Sequence, residues 1–199
     1  MNIKIFSDPF PHITIHNLLD PKEFQLIWNE LIFLVPKMLP PEQTSAATRE
    51  RGIPRKKGYG IMIDSMFNNK EHSDILLFMT KTVSERVRNA SKESSDVYMQ
   101  LFKHINHGCT LVQAYRNGDY YEPHEDSAVF TAVTLIHKTP KKYQGGELIF
   151  PDYNYNSKLE NNSTIIFPSV VRHEVTEVKL KTDNPEDARF TISQLLHIG

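Results

Sequence analysis

Residues 109–137 read CTLVQAYRNGDYYEPHEDSAVFTAVTLIH. Two runs rich in β-branched and aromatic residues, CTLVQAYR and AVFTAVTLIH, flank a polar stretch that opens with Asn117-Gly118. Such runs bounded by turn residues read as strands. The same grammar continues to the end of the chain in GELIF (146–150), STIIF (163–167), VRHEVTEVKL (171–180) and ARFTISQLLHI (188–198). Turn signals separate them: Gly145-Gly146, Asn161-Asn162 and Asp183-Asn184-Pro185. Many short strands with regular turns imply a jelly roll or sandwich, which hides its strand edges by closing on itself.

Upstream of residue 109 the pattern changes. Residues 3–5 and 12–16 read as short strands. Asp20-Pro21 is an N-cap followed by proline at the first helical position, and Phe24, Ile27, Trp28, Leu31 and Ile32 recur at helical spacing, so the sequence predicts a helix over 21–34. Pro36, Pro40 and Pro41 end it. Ile75, Leu76, Met79, Val83 and Val87 predict a second helix over 71–92, and a weaker one follows over 94–105. The polar stretch 41–60 carries Arg49, Arg51, Arg55, Lys56 and Lys57 among Gly52, Gly58 and Gly60. It reads either as a solvated surface loop or as a lid, since long loops in compact domains are usually functional or disordered. Helices ahead of a sheet would cover its outer face, an α+β arrangement. The expectation is one domain over 1–199, with 1–108 as mainly helical support and 109–199 as the jelly-roll core.

Composition narrows the function. The chain has 199 residues, 39% hydrophobic and 24% charged, as in ordinary globular proteins. Its net charge of -1, from 23 basic and 24 acidic residues, argues against a general nucleic-acid binder. Mean hydropathy is -0.43, and no apolar run approaches the ~18 residues of a membrane helix. The opening MNIKIFSDPFPHITIHNLL lacks the basic, apolar and small-residue regions of a signal peptide, which predicts a cytoplasmic location. Cys109 is the single cysteine, so a metal would have to be held by nitrogen and oxygen.

That condition directs attention to His124-Glu125-Asp126. Residues two apart on a strand project to one face, so His124 and Asp126 are expected to point inward together and Glu125 outward. A third ligand would come from another strand. His173 is the best candidate, with Val171 and Val175 on its face and Arg172 on the other. Two histidines and a carboxylate that leave coordination positions open form the facial triad of non-haem Fe(II) oxygenases. On the triplet alone, an ordinary histidine hydrogen-bonded to an aspartate is an equal reading. Arg189 adds weight. It opens a strand of apolar and β-branched residues and shares a face with Thr191 and Ser193, while Phe190, Ile192 and Leu196 share the other. Arginine is seldom buried without a partner, and a planar guanidinium beside hydroxyls suits a carboxylate ligand.

Tyr115, Gly118, Tyr121, His124, Asp126, Gly145, Gly146, Glu147, Leu148, Phe167, Pro168, His173 and Arg189 occur in this order. In that order they resemble the prolyl 4-hydroxylase-like branch of the Fe(II)/2-oxoglutarate dioxygenases. The resemblance is strong over about 109–198 and loose before it. It implies a double-stranded β-helix (jelly roll) flanked by N-terminal helices. It also implies Fe(II), 2-oxoglutarate and O2 as cofactor and co-substrates, with ascorbate as a reductant. His124, Asp126 and His173 would hold the metal, and Arg189 the distal carboxylate of 2-oxoglutarate. Tyr115 resembles a co-substrate-contacting tyrosine. The carboxylate at Asp126 favours hydroxylation over halogenation, because related halogenases carry a small residue there.

Two departures stand out. His173 and Arg189 lie 16 residues apart, more than is usual in this branch, which fits a longer hairpin over 179–188. Leu135 stands where many relatives carry a tyrosine that contacts the co-substrate, leaving Tyr115, Thr191 or Ser193 to supply that contact. The favoured substrate is a prolyl residue of a peptide or protein. The alternatives are a free amino acid or small metabolite and, from another class, a non-catalytic jelly-roll binding module. Nucleic-acid demethylation rests only on the basic residues between 49 and 57.

Overall fold

The computed structural model describes residues 1–44, 48 and 52–199. Of the 41–60 stretch, residues 45–47 and 49–51, with Arg49 and Arg51, lie outside the described residues.

The first helix, α1 (Pro21–Leu34), has the predicted bounds. Asp20 accepts from the backbone N–H groups of Lys22 and Glu23, and Glu23 reaches back to the Asp20 N–H, so the capping box satisfies donors that a helix start leaves open. The second helix does not run unbroken over 71–92. It divides into α2 (Asp74–Phe78), a 3₁₀ segment over Met79–Val83, and α3 (Glu85–Lys92). Ser73 caps α2 by accepting from the Leu76 N–H. In the 3₁₀ segment Thr82 donates to Gln194 of the last strand at 2.6 Å, and Gln194 donates to the Met79 carbonyl at 3.3 Å. Ile75, Leu76, Met79 and Val87 are all buried, so the apolar spacing marked a real face but not a straight axis. The weak third helix shrinks to α4 (Val97–Gln100), capped by Asp96, and a following 3₁₀ turn.

Fourteen strands are present among the described residues: β1 (Asn2–Phe6), β2 (His12–His16), β3 (Lys56–Lys57), β4 (Tyr59–Met62), β5 (His107–Tyr115), β6 (Tyr120–His124), β7 (Phe130–Ile136), β8 (Tyr143–Gly145), β9 (Leu148–Phe150), β10 (Tyr155–Asn156), β11 (Ser163–Pro168), β12 (His173–Val175), β13 (Val178–Leu180) and β14 (Arg189–His197). They form a seven-stranded sheet in the order β1-β2-β11-β7-β14-β5-β4, a five-stranded sheet in the order β10-β9-β12-β6-β3, and the pair β13-β8. Together with the helices this is the expected α+β jelly roll. Three details differ from the sequence reading. VRHEVTEVKL breaks into β12 and β13, which serve different sheets. The first half is less helical than expected, because β1 to β4 extend both large sheets. Part of the 41–60 stretch is therefore sheet: β3 pairs with β6, and β4 with β5.

Two apolar clusters follow from strand alternation. Along β14, Phe190, Ile192 and Leu196 face Ile27, Leu31 and Ile75 of the helices in one cluster. The other cluster joins Tyr115, Val133, Ile165 and Phe167 of the large sheet to Tyr121, Leu148, Phe150 and Val175 of the smaller one, and so fills the inside of the roll. β14 lies between β7 and β5, so Arg189 opens an interior strand rather than an edge. No helix among the described residues is long and apolar enough to cross a membrane.

Phe190 is fully buried and meets Trp28 edge-on at 5.7 Å. Phe190→Ala is expected to lower folding stability by about 3–5 kcal/mol in urea denaturation, because it removes transfer energy and leaves a cavity under β14.

Candidate active site

The site begins with strand register. His173, first residue of β12, pairs with His124, last residue of β6, and Val175 pairs with Tyr121. β6 therefore spends three residues where β12 spends two. This bulge lets both Tyr121 and His124 line the same cavity. The Tyr121 ring lies flat against that of His124, with centroids 3.5 Å apart and planes 12° apart.

Asp126 arrives differently from the expectation. β6 ends at His124, so the aspartate is in the following loop and strand alternation does not aim it. Its backbone N–H donates to the Ser169 carbonyl at 3.0 Å. Thr131 on β7 donates to its Oδ2 at 2.7 Å, and the Thr131 hydroxyl is 2.9 Å from that of Ser169. Oδ1 then lies 3.6 Å from His124 Nε2, and Oδ2 3.4 Å from His173 Nε2. One potential ligand atom from each of the three residues falls within 4.8 Å of the others.

Backbone carbonyls set the histidine tautomers. His124 Nδ1 is 2.7 Å from the Glu122 carbonyl, and His173 Nδ1 is 3.0 Å from that of Val171. A carbonyl only accepts, so Nδ1 carries the proton in each ring and Nε2 presents a lone pair toward Asp126. Burial, and then the neighbouring His173, push His124 down to about 3, which keeps it neutral as a ligand must be. Phe167 packs edge-on against His173 at 4.9 Å.

These groups line a cavity of about 240 Å³ with Tyr115, Thr131, Val133, Leu148, Val175, Thr191 and Ser193 among its walls. Thr191 and Ser193 share the inner face of β14 as expected. Both hydroxyls donate to Gln113 Oε1, at 3.1 and 3.2 Å. Tyr115 is 1% exposed, and burial pushes its phenol up. The Arg189 guanidinium is 5.1 Å from the Tyr115 ring centroid. Arg189 is itself 1% exposed, and its Nε and Nη1 have no hydrogen-bond partner among the described residues. Burying such donors unpaired is costly, so the arrangement fits an anionic ligand that supplies acceptors. Glu125 is exposed at the cavity rim, and Arg172 points away, 3.9 Å from Asp152.

Sequence reasoning missed four residues here. Gln113, Thr131 and Ser169 looked like ordinary strand or turn residues, and their roles come from pairing across the sheets. Lys56 was grouped with a solvated basic stretch. It is 5% exposed on β3, its Nζ has no hydrogen-bond partner among the described residues, and it lies 5.8 Å from the ring centroids of both Tyr115 and Tyr121. Burial pushes it down to about 8.

Residues 110–197 match the family model described as the 2OG-Fe(II) oxygenase superfamily. No curated protein matches the chain. Among solved structures, the viral collagen prolyl hydroxylase of Paramecium Bursaria Chlorella virus-1, in its 2-oxoglutarate complex, aligns over 93% of this chain and 94% of its own, with a TM-score of 0.59 and 16% identity. A Pseudomonas putida prolyl-4-hydroxylase aligns over 94% and 92%, with a TM-score of 0.62 and 16% identity. An oxidoreductase of the 2OG-Fe(II) oxygenase family from Burkholderia pseudomallei aligns over 94% and 85%, with a TM-score of 0.59 and 13% identity. At these identities the structural likeness establishes the fold, and it is the fold of the prolyl hydroxylases. The matched residues 110–197 contain His124, Asp126, His173 and Arg189, so the part of the chain that is similar to the 2OG-Fe(II) oxygenases is the part that builds the site.

The depressed His124 has a consequence for the metal-free protein. Its ring has an ordinary value of 6.5 in the unfolded chain and about 3 when folded. Between those values the unfolded state binds more protons, so stability is fully present above about 6.5 and is lost as pH falls toward 3. His124→Gln is expected to flatten that loss in urea titrations run from pH 7 to pH 4.

Proposed function

We propose that this protein hydroxylates an unactivated C–H bond of a prolyl residue in a peptide or protein, with His124, Asp126 and His173 holding Fe(II) and Arg189 binding the distal carboxylate of 2-oxoglutarate. The observation that carries the proposal is the convergence of two Nε2 atoms and one carboxylate in one cavity, with a buried guanidinium, two of whose nitrogens have no hydrogen-bond partner among the described residues, packed against Tyr115 in the cavity wall. Imidazole and carboxylate together suit Fe(II), and three ligands leave positions for a co-substrate and O2.

When bound, Fe(II) with 2-oxoglutarate supplies the oxidising chemistry: one oxygen atom of O2 goes into the substrate as hydroxyl, the other into succinate, and CO2 leaves. The chain's own residues bind and orient. Glu122 and Val171 fix the two imidazoles through their carbonyls, and Thr131 with Ser169 fixes the carboxylate. Arg189 neutralises one negative charge of the co-substrate. Tyr121, Val133, Leu148 and Val175 give the cavity apolar walls, which suit a five-membered aliphatic ring better than a charged group. The structural neighbours named for collagen prolyl and prolyl-4-hydroxylation support the same substrate class.

Peptidyl-proline and free proline are to be compared as substrates in the presence of Fe(II), ascorbate and 2-oxoglutarate. The expected outcome is succinate formation coupled to hydroxylation of the peptide. Coupling to free proline alone would move the assignment to small-metabolite hydroxylation. Asp126→Ala is expected to abolish hydroxylation, and wild-type rates in that variant would overturn the ligand assignment.

A further inference from the structure

A groove of about 420 Å³ adjoins the site. Arg55, Pro123, His124, Glu125 and Arg172 line it, and His124 and Glu125 also line the site cavity, so the two spaces share a wall. Neither arginine has a part in holding the iron or the co-substrate.

Each guanidinium reaches the groove for a local reason. Arg55 directly precedes β3, and its carbonyl accepts from the Glu122 N–H at 3.0 Å, which extends the pairing of β3 with β6 by one residue. Its side chain donates from Nη1 to the Pro123 carbonyl at 2.9 Å and from Nε to the Thr48 carbonyl at 3.3 Å. These bonds fix the planar group and leave its Nη2 without a hydrogen-bond partner among the described residues. Arg172 directly precedes β12, and alternation turns it away from the cavity that His173 faces. Its side chain is 46% exposed and lies 3.9 Å from Asp152, itself 55% exposed. So long and exposed an ion pair contributes little and exchanges readily for a better acceptor. Glu125 is the one carboxylate in the lining, and it forms no ion pair among the described residues. Two guanidinium groups against one carboxylate leave the lining positive. Arg55 is half-buried and Arg172 exposed, so both stay accessible to a ligand.

We propose that Arg55 and Arg172 form a carboxylate subsite for the substrate, occupied by an acidic side chain that flanks the prolyl residue in the site cavity. The inference rests on the prolyl-peptide reading and deepens it by naming a feature of the substrate sequence. An extended chain advances about 3.3–3.6 Å per residue, so a peptide crossing the shared wall at Glu125 sets its next residue over the groove. The planar fork of a guanidinium pairs with a carboxylate through parallel hydrogen bonds and so fixes register as well as charge. Glu125 repels a carboxylate from the wall itself, which keeps the neutral target and its acidic flank in separate spaces.

The test uses prolyl peptides, acetylated and amidated at their ends, that carry Glu, Gln or Lys on either side of the proline. A further peptide ends in a free carboxylate directly after the proline. kcat/KM is read from hydroxyproline formed with Fe(II), ascorbate and 2-oxoglutarate. The ratio of Glu to Gln peptide is taken within one protein preparation, so any loss of folded enzyme cancels. The wild type is expected to favour Glu roughly 10-fold at one flanking position, as a hydrogen bond to a charged group would give. The ratio is expected to fall toward unity in Arg172→Gln and below it in Arg172→Glu, with the Lys peptide then favoured. Arg55→Gln is expected to lower the ratio too, but it also releases β3 from Pro123, so the Arg172 variants decide. Equal rates on Glu and Gln peptides in the wild type would overturn the proposal and leave the prolyl-peptide reading standing. A Glu preference that survives both Arg172 variants would also overturn it. Preference for the free chain end alone would overturn the acidic flank and give the two arginines a terminal carboxylate instead. If the wild type hydroxylates no prolyl peptide, this proposal falls together with the reading it rests on.

Discussion

The site depends on one backbone pairing, His173 of β12 opposite His124 of β6. Register is a discrete quantity in a sheet, and a slip of one residue would turn a whole set of side chains to the opposite face. The pairing is therefore protected by everything that sets register. Val175 and Tyr121 pack in the interior beside it, and β9 holds the other edge of β12 through Glu174 and Val175. The bulge in β6 lets two residues three apart share the inner face.

Around that pairing the chain accepts local cost for a defined geometry. Two imidazoles sit side by side with centroids 4.3 Å apart, a carboxylate is held close to both, and a lysine and an arginine are buried with nitrogens that have no hydrogen-bond partner among the described residues. Desolvation disfavours each of these charges. The cost is offset by the two apolar clusters, one inside the roll and one under the helices. A protein selected for stability alone has no use for unmatched cations there.

Much of this was legible in the sequence, for reasons that differ by residue. Asp20-Pro21 fixed the start of α1 because capping is a local interaction, readable within four residues. Phe190 and Thr191 fell on opposite faces as read, because strand alternation is equally local. The broken second helix was not legible: its break involves Thr82 and Gln194, which are distant in sequence. The same limit hid Thr131, Ser169 and Gln113, whose partners lie on other strands, and it hid the burial of Lys56, since a lysine among basic residues carries no sign of being paired into a sheet. His124 and Asp126 were found for a reason only half correct. They do come together, but Asp126 is brought in by a loop hydrogen-bonded to Ser169 and Thr131 rather than by alternation along a strand.

The central claim is that His124, Asp126 and His173 form one Fe(II) site facing Arg189. An anaerobic crystal structure with Fe(II) and 2-oxoglutarate tests it most directly. The account predicts iron bonded to both Nε2 atoms and to the Asp126 carboxylate, with 2-oxoglutarate chelating it and reaching Arg189 at its other end. Iron bound by another set of residues, or a 2-oxo acid lying with its distal carboxylate away from Arg189, would contradict it.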